Sequence, residues 1–142
     1  MTAENPGAQQ LSPEENAKRN EELKQKLIEE GYEVVEIGGR YGNPEKSFFV
    51  KNITLEDAMR FGEMFGQESV AHSEGLVYTA GENKGKMHPP TGDVLVDQNL
   101  DDNYSLIKTD EGSVKYQVGY DWDSPLVNVP DKQSEVKVDD AP

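Results

Sequence analysis

Ser12-Pro13-Glu14-Glu15 opens, and Gly31 closes, the stretch whose reading decides the fold, because Tyr32-Glu33-Val34-Val35-Glu36-Ile37 follows it at once. Serine at the cap, proline at the first helical position and glutamate at the third form a helix-start signal. A glycine after Glu30 stops the helix. Leu23 and Leu27 share one face with Asn20, and Ile28 lies beside them. Tyr32 to Ile37 reads as a strand, with Tyr32 and Val34 on one face and Val35 and Ile37 on the other. A helix followed directly by a strand calls for a mixed fold.

Working outward, Gly38-Gly39-Arg40-Tyr41-Gly42-Asn43-Pro44 reads as a loop and Ser47 to Val50 as a short strand. Thr54 caps a second helix whose apolar face is Leu55, Ala58, Met59, Phe61, Gly62 and Phe65, ended by Gly66. Glu68 to His72 and Leu76 to Ala80 read as strands around a Ser73-Glu74-Gly75 turn. Residues 81–92 read as a Gly/Pro/Lys loop. Tyr104 to Thr109 and Ser113 to Trp122 read as a hairpin around Asp110-Glu111-Gly112. The expected fold is α+β and two-layer: two helices on one face of a small mixed or antiparallel sheet, then an acidic β-hairpin and a mobile tail. The expected divisions are an arm over 1–10, a core domain over 11–80, the loop and hairpin over 81–122, and a mobile acidic tail over 123–142. The expected core is Leu23, Leu27, Val35, Ile37, Phe48, Val50, Phe61, Phe65 and Val70.

Composition narrows the function classes. The chain of 142 residues carries 28 acidic and 14 basic side chains, a formal charge of -14, which disfavours direct nucleic-acid binding and suits solubility alone, a basic protein surface or a mimic of DNA. There is no cysteine, so disulfides and thiolate metal sites are excluded. No apolar run reaches bilayer length and no secretory leader is visible, so a cytoplasmic or virion location is expected. Gly81-Glu82-Asn83-Lys84-Gly85-Lys86 is one residue short of a phosphate loop, with Met87 where the magnesium-binding hydroxyl belongs. Asp97 to Asp102 starts like a calcium loop but has Asp102 at the glycine position and Lys108 at the final ligand. His72 and His88 lack zinc-ligand spacing. No cofactor, metal or catalytic residue is nominated.

Two constellations remain. Asn16, Arg19 and Asn20 project from one helix face, and Glu45, Ser47 and Gln67 lie at element ends that can converge on it; Arg40 stands in the glycine-rich loop. This polar face either holds a small polar ligand or peptide, or is structural, with Arg19 paired to Glu45 and the amides capping main chain. Tyr104, Tyr116, Tyr120 and Trp122 gather in the hairpin, as a satellite core or as a partner-binding face.

Asn5-Pro6, Glu15-Asn16-Ala17-Lys18-Arg19-Asn20, Gly38-Gly39-Arg40, Glu45-Lys46-Ser47-Phe48 and Phe65-Gly66-Gln67 together, by order and spacing, resemble DUF3293, a family of bacterial and phage proteins of unknown function, over roughly residues 2–80. Two departures stand out. Family members carry a further segment, including a strand, before the Asn-Pro, which leaves a sheet edge here to a partner or to the C-terminal hairpin. The acidic C-terminal third has no counterpart. The resemblance implies a phage association and no activity. The leading expectation is a non-enzymatic acidic module that binds a protein partner, as a virion component or host-factor inhibitor, without contacting membrane or nucleic acid. The alternative is a small enzyme or ligand-binding module acting on a nucleotide-like substrate through the polar face.

Overall fold

The structure, a computed structural model, describes residues 1–6, 9–41, 43–102, 104–110 and 112–130. Among these the fold is α+β, with helices α1 (Pro13–Glu29) and α2 (Leu55–Met64). The strands are β1 (Glu33–Tyr41), β2 (Asn43–Lys51), β3 (Ser69–His72), β4 (Gly75–Tyr78), β5 (Lys86–His88), β6 (Pro90–Val96), β7 (Tyr104–Thr109), β8 (Gly112–Tyr120) and β9 (Val127–Asn128). The helix starts follow the sequence signals. Ser12 Oγ accepts the Glu15 N–H at 3.2 Å, and Thr54 Oγ1 accepts the Asp57 N–H at 3.1 Å. Gly31, at φ +91, follows the last turn of α1, a backbone conformation open to glycine.

Instead of one small sheet there are two antiparallel ones. Five strands run in the order β2-β1-β7-β8-β6 and four in the order β3-β4-β5-β9. The helices pack on one face of β1 and β2, where Leu23, Leu27, Phe48, Phe61 and Phe65 are buried with Tyr32, Val34 and Val50 against them. The opposite flank of α2 packs on the second sheet through Leu55, Ala58, Val70, Val77 and Met87. Contact there is close: a Cβ on Gly62 would lie 2.5 Å from Val70 Cγ2.

Several expectations are corrected. The glycine-rich segment read as a loop continues β1, because Gly38 and Gly39 pair with Lys46 and Glu45 of β2 on one side and with Leu106 and Ser105 of β7 on the other. A methyl added at Gly38 would meet Leu106 Cβ at 3.7 Å, an ordinary contact, so the pairing does not itself require glycine there. The C-terminal hairpin is therefore not an appendage; β7 extends the sheet on the β1 side and β8 carries it on to β6. Residues 86–88 and 90–92, read as loop, belong to strands β5 and β6. The tail expected from residue 123 begins inside the fold: Val127 pairs with Met87, and Val129 packs on the second core cluster. Residues 131–142, including the Glu135 to Val138 stretch expected to pair with a partner, lie outside the described residues. Val35 and Ile37 leave the expected core. Val34 pairs with Val50 on the helix-facing side, which turns Val35 and Ile37 to the other face of the sheet.

Candidate functional site

The polar face is built by α1, the end of α2 and the outer edge of β2, and the chain's own N-terminal segment fills it. Met1 lies along β2: Phe48 N–H donates to Met1 O at 2.7 Å, and the Met1 ammonium donates to Phe48 O at 2.6 Å. Ser47 Oγ donates to Met1 O at 2.7 Å. One residue pair further, Thr2 Oγ1 donates to Lys46 O at 2.7 Å and Lys46 N–H to the Glu4 carboxylate at 3.0 Å. Thus the main-chain groups that Phe48 and Lys46 turn away from β1 are met by residues 1–4, and the open edge of β2 is covered.

From the helix side, Asn20 Oδ1 accepts the Ala3 N–H at 2.7 Å, while its Nδ2 donates to Glu4 Oε2 at 3.1 Å and Lys46 O at 3.2 Å. Asn16 and Asn5 bond reciprocally: Asn5 N–H to Asn16 Oδ1 and Asn16 Nδ2 to Asn5 Oδ1, both at 3.0 Å. Arg19 Nε donates to Ala3 O at 2.7 Å, and a terminal nitrogen donates to Phe65 O. Gln67 Nε2 donates to Glu4 O at 3.1 Å. Gly66, at φ +70, lets Pro6 approach; an added Cβ would be 2.9 Å from Pro6 Cβ. The Asn-Pro, the Asn-x-x-Arg-Asn helix, the Ser-Phe strand and the Phe-Gly-Gln helix end are therefore parts of one anchoring device. Ala3, fully buried, sits at its centre.

Arg19 bonds main-chain carbonyls, and no ion pair joins it to Glu45 among the described residues; the expected pairing is corrected. An arginine can satisfy two carbonyls with its fixed fork of donors. Glu45 instead interacts electrostatically with the Met1 ammonium. Burial pushes the Glu45 carboxyl up to about 7, against the pull of that ammonium, and the Glu4 carboxylate raises it further. Burial likewise lowers the Met1 amine to about 6, with Glu45 acting in the opposite sense. Arg40 stands apart from the cradle, its Nε 4.0 Å from Asp102 Oδ1.

The four aromatic residues are not brought to one face. The Lys115 ammonium lies 4.7 Å from the Tyr104 ring centre, and Leu106 pairs with Lys115 on that side of the sheet. Tyr116 is on the other side, with Val114 and Ile107. Tyr120 is buried, its hydroxyl donating to His72 O at 3.0 Å. Trp122 is exposed, with its ring 4.7 Å from that of His88.

A different surface emerges from the strand registers. Phe49 pairs with Val35, Ile107 with Val114, and Val118 and Tyr116 with Val94 and Val96. Alternation places all of these, with Ile37, on the sheet face that α1 and α2 leave uncovered. Phe49 is 46% exposed, and Ile37, Ile107, Val114, Tyr116 and Val118 are half-buried. The Val94-Leu95-Val96 triplet was legible as a strand signal but stands after Pro90 and Gly92, which read as breakers. Nothing in the composition of residues 1–5 signals their burial.

No helix among the described residues is long and apolar enough to cross a membrane. No curated protein and no solved structure matches the chain. A family model described as "Protein of unknown function (DUF3293)" matches residues 1–70, which span the cradle and the segment it holds, and over those residues the chain is similar to that family.

Proposed function

We propose that the protein is a non-enzymatic, acidic protein-binding module that meets its partner through the uncovered face of the five-stranded sheet. The observation that carries this reading is the run of apolar side chains from Phe49 and Val35 across Ile107, Val114 and Val118 to Val94, on a face without helices among the described residues. Exposed contiguous apolar surface on a chain of charge -14 is costly to leave wet and favours a partner. That charge selects basic protein surfaces and repels nucleic-acid backbones. The family resemblance supports a phage-related role, as a virion component or an inhibitor of a host factor, in the host cytoplasm or the particle.

The alternative, a nucleotide-like substrate bound by Arg19, Asn20, Glu45 and Gln67, would require residues 1–5 to leave the cradle, because those groups already serve the chain itself. Chemical crosslinking of the full chain in an extract of its host, with mass spectrometry of the products, tests the proposal. A partner crosslinked to the native protein and lost with Phe49→Lys supports it. A partner retained equally by Phe49→Lys contradicts it.

A further inference from the structure

Among the described residues strand β6 is an edge strand, and its second half lacks the bulge, proline and glycine that protect its first half. Its first half has them: Pro90 offers no N–H, Gly92 sits at φ +87, and the register against β8 shifts between Pro90 and Val94. From Val94 onward pairing with β8 is regular, and Val94, Leu95 and Val96 are 58%, 50% and 61% exposed. Three successive residues so exposed present apolar side chains on both faces of the strand at once.

The hydrogen-bonding phase can be read from the next residue. Asp97 N–H donates to Lys115 O at 3.3 Å, so position 97 and, by antiparallel alternation, Leu95 bond toward β8. Val94 and Val96 then turn their N–H and C=O groups to the open side. Exposed acidic residues, Asp93 and Asp97, bracket this short ladder. A second copy pairing antiparallel about Leu95 would set Asp93 of each chain opposite Asp97 of the other, a like-charge arrangement that destabilises cross-strand pairs. Lysine or arginine at those positions of an incoming strand would instead be favoured.

We infer that the β6 edge accepts, by strand addition, an extended segment of a protein partner in which apolar residues alternate with basic ones. This rests on the protein-binding reading above and adds to it the place and chemistry of contact.

The test uses the full chain, isotope-labelled, titrated at moderate salt with a capped peptide alternating lysine and valine and with its glutamate–valine counterpart. The inference predicts that the lysine peptide moves the amide resonances of Val94 and Val96 and binds at least about tenfold tighter than the glutamate peptide. Val96→Pro, which removes one outward N–H, should abolish binding without changing the melting temperature appreciably. The surface pair Asp93→Lys with Asp97→Lys, which leaves the ladder intact, should reverse the peptide preference and keeps the test decisive if the proline variant folds poorly. A lysine peptide that leaves residues 94–96 unmoved would overturn the inference. So would a monomer–dimer equilibrium in sedimentation that Val96→Pro removes, since the edge would then serve a second copy. If the peptide fails while a Phe49-dependent partner is still crosslinked, only the strand-addition inference falls. If the peptide binds at β6 but crosslinking is indifferent to Phe49→Lys, the sheet-face reading falls instead.

Discussion

Asn16 and Asn5 hold each other by two reciprocal hydrogen bonds at 3.0 Å, main-chain N–H to side-chain oxygen and side-chain nitrogen to side-chain oxygen. Around this pair, side chains from α1, β2 and the end of α2 meet the main chain of residues 1–5. The polar residues that carry the DUF3293 resemblance are thereby committed to architecture. Partner contact is left to the surface those elements do not cover.

Asn20→Ala should be among the more damaging substitutions in the cradle. It strands the Ala3 N–H and removes one donor from Lys46 O in a buried site. A loss of about 2–4 kcal/mol in denaturant unfolding is expected. A loss within about 0.5 kcal/mol would mean that residues 1–5 are not held as described.

Arg19 and Glu45 should be energetically independent. Because Arg19 serves the carbonyls of Ala3 and Phe65, a double-mutant cycle on Arg19→Ala and Glu45→Gln should show a coupling no larger than about 0.5 kcal/mol. A larger coupling would restore the direct pairing.

Glu45 sets a pH dependence with a definite sign. Its carboxyl titrates at about 7 when folded against an ordinary 4.5, so above 4.5 the unfolded chain sheds that proton more readily. This contribution to stability therefore falls as pH rises from 4.5 to about 7 and stays lost above it. The Met1 amine, lowered from 8.0 to about 6, costs stability in the opposite direction as pH falls, and drops out above 8. Glu45→Gln should raise unfolding free energy by about 1–3 kcal/mol near pH 8 and by much less near pH 5. Equal effects at the two pH values would contradict the buried carboxyl.

Core and outer face should respond differently. Leu27→Ala, at a fully buried site under β1, should cost about 2–5 kcal/mol. Val94→Lys and Phe49→Lys, on the open face, should change stability by about 0.5 kcal/mol or less while weakening partner capture. Calorimetry on the three variants separates these cases, and a collapse of Val94→Lys would show that the face is covered within the chain.

The helices were legible because their caps are local chemistry. Ser12 and Thr54 bond the third residue onward whatever lies elsewhere in the fold. The second half of β1 was hidden because Gly38 and Gly39 read as a turn, whereas they pair with Lys46 and Glu45 of β2 on one side and with Leu106 and Ser105 of β7, more than sixty residues away, on the other. Strand β6 was hidden by Pro90 and Gly92, which an edge tolerates and a central strand does not. For the candidate site, the spacing of Asn16, Arg19 and Asn20 correctly placed them on one face. It could not show that their acceptors and donors would be the main chain of residues 3–5, since a segment bound through its backbone leaves no mark in side-chain pattern. Val35 and Ile37 were assigned to the wrong side because both faces of that strand carry apolar residues, and only its pairing with β2 separates them.

Native-state hydrogen exchange of the full protein reads out whether Asn16, Arg19, Asn20 and Gln67 grip the chain's own first residues. The amides of Ala3, Asn5 and Phe48 should exchange slowly, with protection comparable to Leu23 and Leu27 in α1. Exchange of the Ala3 and Asn5 amides at the rate of an unstructured peptide, with α1 still protected, would contradict that grip and return the cradle to the list of open ligand sites.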